Sequence, residues 1–465
     1  MFTQQFFVEG LGCASYIVGC ESKGIAAVID PDREVQKYLD VAAGRGLKIT
    51  HIIETHLHAD HVSGNTDLAA RTGADIYVHE ASAAEYPHKA LQHNDVIELG
   101  NIRIRALHTP GHTPESITLL VSDTTRAEEP WLALTGDTLF VGDIGRPDLV
   151  GVEAARGLAN DMYNSLFEKI LPLNDSLLIY PGHGAGSLCG KSIGAMKSST
   201  LGFERKYNLS LAPRGRDEFV EFATSGLPEQ PGNHKRIKVM NRKGPRPLGN
   251  VETRPLTIRE AIPHFQRGAG LLDTRSKEEY VKAHIPGSVH LEADSQLSNR
   301  IGFVFPPYVP VILLLEDASQ YEKVVYSLAR VGYDNVIGYL SESLDAWQKM
   351  GLPITAGDVK DVEPVELDRI IKSCTNGDCP VVVDVREPWE YRQGHVPGAI
   401  LIPLGQLSSR VNELDPARPV AVICASGSRS QSAAALLGQQ GFKTIYNVSG
   451  GTGAWMYSGL ELEYN

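Results

Sequence analysis

The sequence predicts an α/β protein of three consecutive domains. Three observations carry that reading. Strand-like and helix-like segments alternate over about residues 1–250, with histidines and aspartates gathered at the strand ends. A polar, Pro/Gly-rich segment, about Glu229 to Thr253, then interrupts the pattern. Beyond it a set of short motifs occurs twice. Asp273-Thr274-Arg275, Glu279-Tyr280 and His284-Ile285-Pro286-Gly287 return as Asp384-Val385-Arg386, Glu390-Tyr391 and His395-Val396-Pro397-Gly398, an offset of 111 residues (384 minus 273). The expected domains are 1–250, 255–355 and 363–465, with Thr355 to Val362 joining the last two.

In the first domain Ala26-Ala27-Val28-Ile29-Asp30 reads as a strand ending in a carboxylate, and Arg33 to Arg45 as a helix. The apolar run His51-Ile52-Ile53-Glu54 leads straight into Thr55-His56-Leu57-His58-Ala59-Asp60-His61. Asn65 to Arg71 begins a helix and Ala74 to His79 returns as a strand. Three imidazoles and a carboxylate in six consecutive residues form a donor set for zinc, iron or manganese. A solvated loop with scattered histidines would not cluster them. Further donors follow at strand ends: His112 in Thr109-Pro110-Gly111-His112-Thr113, Asp137 in Thr135-Gly136-Asp137-Thr138, and His183 in Tyr180-Pro181-Gly182-His183-Gly184. The linker carries a basic run, Lys235-Arg236, Lys238 and Arg242-Lys243, which reads as a solvated tether.

Each repeat continues with a Pro-led apolar strand, Pro310 to Leu315 and Pro419 to Ile423. Each then has a helix, a Gly-aromatic pair (Gly332-Tyr333, Gly441-Phe442) and a closing tryptophan, Trp347 and Trp455. In the last copy Val420-Ala421-Val422-Ile423 runs into Cys424-Ala425-Ser426-Gly427-Ser428-Arg429-Ser430, and a helix is expected near Gln431. A cysteine at the end of a buried strand, followed by a loop of small residues feeding a helix, suits a nucleophilic thiolate. Inward-turned N–H groups and the helix N-terminus both favour the anion. Gly427 permits the tight path, and Ser428, Arg429 and Ser430 can donate to an anionic substrate. A cysteine phosphatase has five residues between Cys and Arg; here there are four, Ala425 to Ser428. The middle copy differs. Aligned on the later strand, Cys424 maps to Leu315, beside Glu316 and Asp317, and no cysteine lies between Cys189 and Cys374. That copy is expected to be a scaffold without thiol chemistry.

Composition narrows the function classes. The chain has 465 residues, 42% hydrophobic and 22% charged, with a formal net charge of -12. Such an acidic balance argues against an electrostatic nucleic-acid partner. The start, Met1-Phe2-Thr3-Gln4-Gln5-Phe6-Phe7, lacks a basic n-region, and no apolar run is long enough for a bilayer, so no membrane is expected and a cytoplasmic location is the default. A homo-oligomer is left open. Six cysteines do not make a disulfide framework in a chain of this size. Cys374 and Cys379 read as a surface pair. Cys13, Cys20 and Cys189 read as packed small thiols, Cys189 being near enough to His183 in sequence to reach a metal mouth.

The H-x-H-x-D-H segment after a strand resembles the metallo-β-lactamase superfamily over about residues 1–250. Thr109 to Ser116 and Gly136 to Asp148 resemble the persulfide dioxygenases, and are also close to the glyoxalase II thioester hydrolases. The D-x-R…E-Y…G-H-x-P-G-A pattern resembles the rhodanese (sulfurtransferase) domain. Ala283 and Ser288 in the middle copy stand where the last copy has Gly394 and Ala399. The resemblance implies an αββα metallo-β-lactamase fold followed by two rhodanese-like α/β domains. It implies one Fe(II) held by His56, His112 and Asp137. His58, Asp60, His61 and His183 would then support those ligands, or hold a second metal in a dinuclear zinc hydrolase. It implies that Cys424 accepts a sulfane sulfur as a persulfide. As a whole the chain is similar to bacterial persulfide dioxygenase–rhodanese fusions of sulfide detoxification. Their chemistry uses a small-thiol persulfide and O2 and gives thiol and sulfite, with sulfite and thiosulfate handled at the rhodanese cysteine. The carrier thiol, whether glutathione, coenzyme A, bacillithiol or another, is left open. Two other readings stand beside this one: a thioester hydrolase fused to a sulfurtransferase, and a sulfur or redox scaffold with a vestigial metal site.

Overall fold

The computed structural model describes every residue except 188, 192, 213–214, 228–232, 356–358, 375–378 and 465. It divides into two compact units, Met1–Asn250 with Ala329–Gly332 and Val251–Leu328 with Tyr333–Asn465, so the second unit holds the last repeat and the middle one apart from Ala329–Gly332.

Two six-stranded sheets build the first unit. One runs in chain order through Phe2–Val8, Cys13–Cys20, Ile25–Ile29, Lys48–Ile53, Asp75–His79 and Lys89–Leu91. The other runs Ser199–Thr200, Leu178–Pro181, Leu132–Gly136, Ile117–Asp123, Ile102–His108, Val96–Leu99. Successive strand side chains point to opposite faces, and that alternation makes the layers. Ala14, Tyr16 and Val18 enter a core shared with Ile104, Leu119 and Leu134 of the second sheet. Between them in sequence, Ile17 faces the other way, against Tyr38 and Leu68 of helices Gln36–Gly44 and Asn65–Thr72. Ala133 and Ile179 do the same on the far side, against Ala159 and Met162 of helix Val152–Asn164. The order is helix, sheet, sheet, helix: the αββα layering expected.

Three expectations shift. The helix placed at Arg33 to Arg45 starts only at Gln36. Asp32 Oδ1 accepts the Glu34 N–H at 2.8 Å, a local turn that competes with helix before that point. The supposed tether contains helix His234–Lys243, with His234, Ile237 and Asn241 buried. Asn241 clasps the metal loop: its Nδ2 donates to the His58 and His61 carbonyls at 2.7 and 2.8 Å, and its Oδ1 accepts the Ser63 N–H at 2.9 Å. The joining stretch Thr355 to Val362 lies partly outside the described residues; its second half, Val359–Val362, is a strand paired in parallel with Ile445–Val448.

Each repeat is a five-stranded parallel sheet. The central pairings correspond: Asp273 faces Leu314 in one copy, and Asp384 faces Ile423 in the other. The motifs that mark the repeat therefore hold the fold. Arg386 forks onto Asp384 and also donates to the Gly394 carbonyl at 2.8 Å; Arg275 does the same with Asp273 and the Ala283 carbonyl at 2.9 Å. Trp347 and Trp455 fill the two cores and donate to the Pro353 and Glu461 carbonyls. Cys374 and Cys379 form a disulfide, and Cys13, Cys20, Cys189 and Cys424 are buried free thiols. Among the described residues, no helix is long and apolar enough to cross a membrane.

Candidate metal centre and thiol loop

Strand ends deliver every donor. Lys48–Ile53 leads into the loop 55–61, Ile102–His108 to His112, Leu132–Gly136 to Asp137, and Leu178–Pro181 to His183. His56 Nε2 and His112 Nε2 lie 3.7 and 3.2 Å from Asp137 Oδ2. One ligand atom from each of these three buried residues falls within 4.8 Å of the other two, close enough to hold one metal ion.

The tautomers are set from behind. Thr55 Oγ1 donates to Asp30 Oδ2 at 2.7 Å, so it accepts from His56 Nδ1 at 3.0 Å. His112 Nδ1 donates to the Arg146 carbonyl at 2.9 Å, and Arg146 is itself held by Asp148. Each ring thereby turns a lone pair on Nε2 toward Asp137. His183 Nδ1 donates to Asp137 Oδ1 at 2.7 Å; Oδ2 has no hydrogen-bond partner, and neither has His112 Nε2. Buried polar atoms are rarely left so, and a cation at their convergence would satisfy both. Burial, reinforced by His58, holds the His56 pKa well below the ordinary histidine value, and burial lowers His112, so both rings are neutral and able to ligate. Burial alone would raise Asp137, yet His183 beside it holds it far down, as a carboxylate. Gly182 leaves room for this: a Cβ there would stand 2.5 Å from Asp137 Oδ1.

His58 does not join that set. Its Nε2 lies 3.2 Å from Asp30 Oδ1 and 3.3 Å from Glu54 Oε2, an ion pair without hydrogen-bond alignment. Burial would lower its pKa, but Asp30 and Glu54 hold it well above the ordinary value. Asp60 Oδ1 lies 3.2 Å from His61 Nδ1, and Asp60 Oδ2 lies 2.8 Å from His183 Nε2. Cys189 Sγ is 4.0 Å from that same nitrogen, so the thiol does reach the metal centre. Beside the loop a cleft of about 570 Å³ is floored by Leu57, Ala59, Pro114 and Val239 and edged by Lys235 and Lys238.

The thiol loop starts where strand Val420–Ile423 ends, at buried Cys424. The Gly427 N–H donates to Cys424 Sγ at 3.1 Å, and Ser430 Oγ lies 3.5 Å from it. Gly427 has φ +96°, a left-handed conformation that lets its N–H turn back onto the sulfur. Helix Ser428–Gln439 follows, three residues earlier than expected. Ala425 accepts the Gly453 N–H through its carbonyl, and Ser426 is exposed. The Ser428 side chain lies outside the described residues. Arg429 forks onto Glu390, at 2.7 Å to each oxygen.

Comparison with known proteins places this geometry. The metallo-beta-lactamase superfamily model matches residues 8–183, and the rhodanese-like domain model matches 258–350 and 364–458. The crystal structure of a metallo-beta-lactamase from Staphylococcus aureus subsp. aureus COL is 37% identical, covers 73% of this chain and 98% of that one, and superposes with TM-score 0.65. The chain belongs to the metallo-β-lactamase superfamily. It is a superfamily member with two rhodanese-like domains after its metal domain. A hydroxyacylglutathione hydrolase of Polaromonas sp. is 33% identical over 172 residues, 36% of this chain and 61% of that protein. The mitochondrial persulfide dioxygenase of Bos taurus is 30% identical over 171 residues, 36% of this chain and 63% of that protein. The chain thus spans less than two thirds of these relatives' own length.

The His and Asp residues that cluster here stand out in the sequence, but the groups that aim them do not. Asp30 was visible as a strand-end carboxylate; its bonds to Thr55 and its approach to His58 were not. Glu115 accepts the Leu57 N–H at 3.1 Å and is raised by burial, yet an isolated glutamate gives no pattern. Glu390 read as part of a fold motif and proves to be the partner of Arg429. The middle rhodanese-like domain has Leu315 after strand Val311–Leu314, where the last has Cys424. Its acids are caps: Glu316 accepts the Ser276 N–H ahead of helix Lys277–Lys282, and Asp317 accepts the Ser319 N–H. Replacing Glu316 and Asp317 together with alanine is expected to lower the melting temperature slightly and leave turnover at the metal centre and at the thiol loop unchanged. A large loss of turnover in a folded variant would place this loop in the chemistry.

Proposed function

We propose that the first domain oxidises a small-thiol persulfide with O2, and that Cys424 exchanges sulfane sulfur with sulfite. The first reaction is R–S–SH + O2 + H2O → R–SH + SO3²⁻ + 2 H⁺. In the second, sulfite attacks the outer sulfur of a Cys424 persulfide, the S–S bond breaks toward the Cys424 thiolate, and thiosulfate leaves. One observation carries the reading: His56 Nε2, His112 Nε2 and Asp137 Oδ2 converge, while His58 is drawn off by Asp30 and Glu54. Fe(II) bound to such a two-histidine, one-carboxylate face would supply electrons and open positions for sulfur and O2.

The chain's own residues do the rest. Thr55 and the Arg146 carbonyl keep both imidazoles in the ligating tautomer, and His183 keeps Asp137 aimed. The cleft beside the loop, with Lys235 and Lys238 at its edge, suits a carrier thiol that bears negative charge. At the second centre the Gly427 N–H donates to the Cys424 sulfur, the atom that would carry the sulfane sulfur. The fusion of a metal domain to rhodanese-like domains supports a persulfide as the shared compound, as does the relative named for persulfide dioxygenation.

Protein purified without oxygen is expected to hold one iron per chain and to take up O2 when given glutathione persulfide. Two zinc ions, thioester hydrolysis and no O2 uptake would be the contrary result. It would support the second reading, a dinuclear thioester hydrolase, which the cluster of Asp60, His61 and His183 and the relative named hydroxyacylglutathione hydrolase favour.

A further inference from the structure

We infer that the middle repeat, which has no cysteine of its own, positions the thiol loop of the last repeat by clamping Gln431 between Glu292 and Arg300. That role deepens the proposed function and rests on it for Cys424 as the sulfur carrier. All of these residues lie within the second compact unit.

Gln431 sits in the first turn of helix Ser428–Gln439, the helix that the thiol loop feeds. Its side-chain oxygen accepts from Arg300 Nη1, and its Nε2 donates to Glu292 Oε2 at 3.2 Å. An amide suits both ends; a carboxylate at 431 would meet Glu292, and an amine would meet Arg300. The two jaws are themselves fixed inside the middle repeat. Glu292 Oε1 accepts the Lys277 N–H at 2.9 Å, at the start of helix Lys277–Lys282. Arg300, 4% exposed on helix Leu297–Val304, also donates to Asp294 and reaches the Glu292 and Gln296 carbonyls at 3.4 Å. A planar guanidinium held at this many points has little freedom left, so it serves as a fixed reference for what it grips.

The path from the clamp to the sulfur is short. The Gln431 N–H donates to the Gly427 carbonyl at 3.3 Å, and Ser430 Oγ donates to the same carbonyl at 3.0 Å. Gly427 in turn directs its own N–H at Cys424 Sγ, 3.1 Å away. Where the helix begins therefore sets where that N–H points. Packing alone leaves the helix room to shift: Gln431, Ala434, Ala435 and Gly438 border a crevice of about 210 Å³ against Tyr280 and His284 of the middle repeat. Small side chains beside an open crevice do not interlock, so the hydrogen bonds at Gln431 carry the register. Glu292 and Arg300 are positioning residues, acting on the sulfur through Gln431 and Gly427.

Paired substitutions in the full-length protein test this. Gln431→Ala is expected to lower kcat for sulfur transfer from glutathione persulfide to sulfite, measured without oxygen, by about tenfold, with KM and melting temperature little changed. Alkylation of Cys424 by iodoacetamide should slow in step, because the N–H that meets the sulfur is displaced. Glu292→Gln and Gln431→Glu should each lower both rates. Together they exchange amide and carboxylate across the contact, so the double variant is expected to regain most of the wild-type rate. A folded Gln431→Ala protein with unchanged kcat and alkylation overturns the proposal, as does a double variant no faster than the slower single one. A wild type that transfers no sulfur would refute Cys424 as the carrier, and the alkylation rates of the same variants would still decide the clamp.

Discussion

Asp137→Ala is expected to abolish metal binding at the His56–His112–Asp137 cluster and reduce persulfide-dependent O2 uptake by more than about 100-fold. Asp137 is the only carboxylate of the His56–His112–Asp137 cluster, and its Oδ2 is the atom both imidazoles face. Its removal deletes the one anionic donor at an open site, where two neutral imidazoles hold a divalent ion weakly. It also strips His183 Nδ1 of its acceptor. Asp137→Asn separates the two effects, since a neutral amide oxygen can still accept from His183. Metal analysis beside O2 uptake distinguishes the outcomes. Unchanged iron content and turnover in the alanine variant would mean that the ligand set is misassigned. Thiosulfate formation at Cys424 from added sulfite and a sulfane donor should survive in both variants, because those residues belong to a separate fold.

Cys424→Ser should have the opposite signature. Transfer of sulfane sulfur to sulfite is expected to fall by more than about 1,000-fold, because an alkoxide is far less accessible than a thiolate near neutral pH. The Gly427 N–H that meets the sulfur at 3.1 Å does not change this; a hydroxyl there keeps its proton. O2 uptake should continue, so sulfite accumulates where thiosulfate formed before. Both products, measured with persulfide in excess, decide it. Persisting enzymatic thiosulfate would move sulfur transfer elsewhere, with Cys189 next in line. Collapse of O2 uptake would show that the two centres cannot act separately.

The layers of the first domain were legible through the resemblance of the H-x-H-x-D-H segment to the metallo-β-lactamase superfamily, and the repeat offset marked two copies of one α/β domain. The structure adds what fills the layers: alternation along Cys13–Cys20 sends Tyr16 and Ile17 to opposite cores. Local competition was less legible. Asp32 delays a helix by bonding to the backbone, and a run rich in Lys and Arg forms a helix because Ile237 and Asn241 give it a buried face. At the metal centre the donor residues stood out by clustering, while the atoms that aim them are scattered. The Arg146 carbonyl is a backbone group and has no sequence signal at all. Arg429 illustrates the limit at the thiol loop. Its position next to the cysteine suggested an anion ligand, but its guanidinium is committed to Glu390, thirty-nine residues earlier.

The clasp made by Asn241 bears on how the chain can be divided. A fragment cut after residue 183, where likeness to the superfamily model ends, would keep every residue of the His56–His112–Asp137 cluster. It would still lose the amide that satisfies the Ser63 N–H and the His58 and His61 carbonyls. Three buried backbone groups without partners cost on the order of 1–3 kcal/mol each, enough to loosen the loop that carries His56. Asp67, which accepts the N–H groups of Leu248 and Gly249, would lose its contacts as well. Protease resistance of excised fragments is therefore expected to rise sharply only once residue 241 is included.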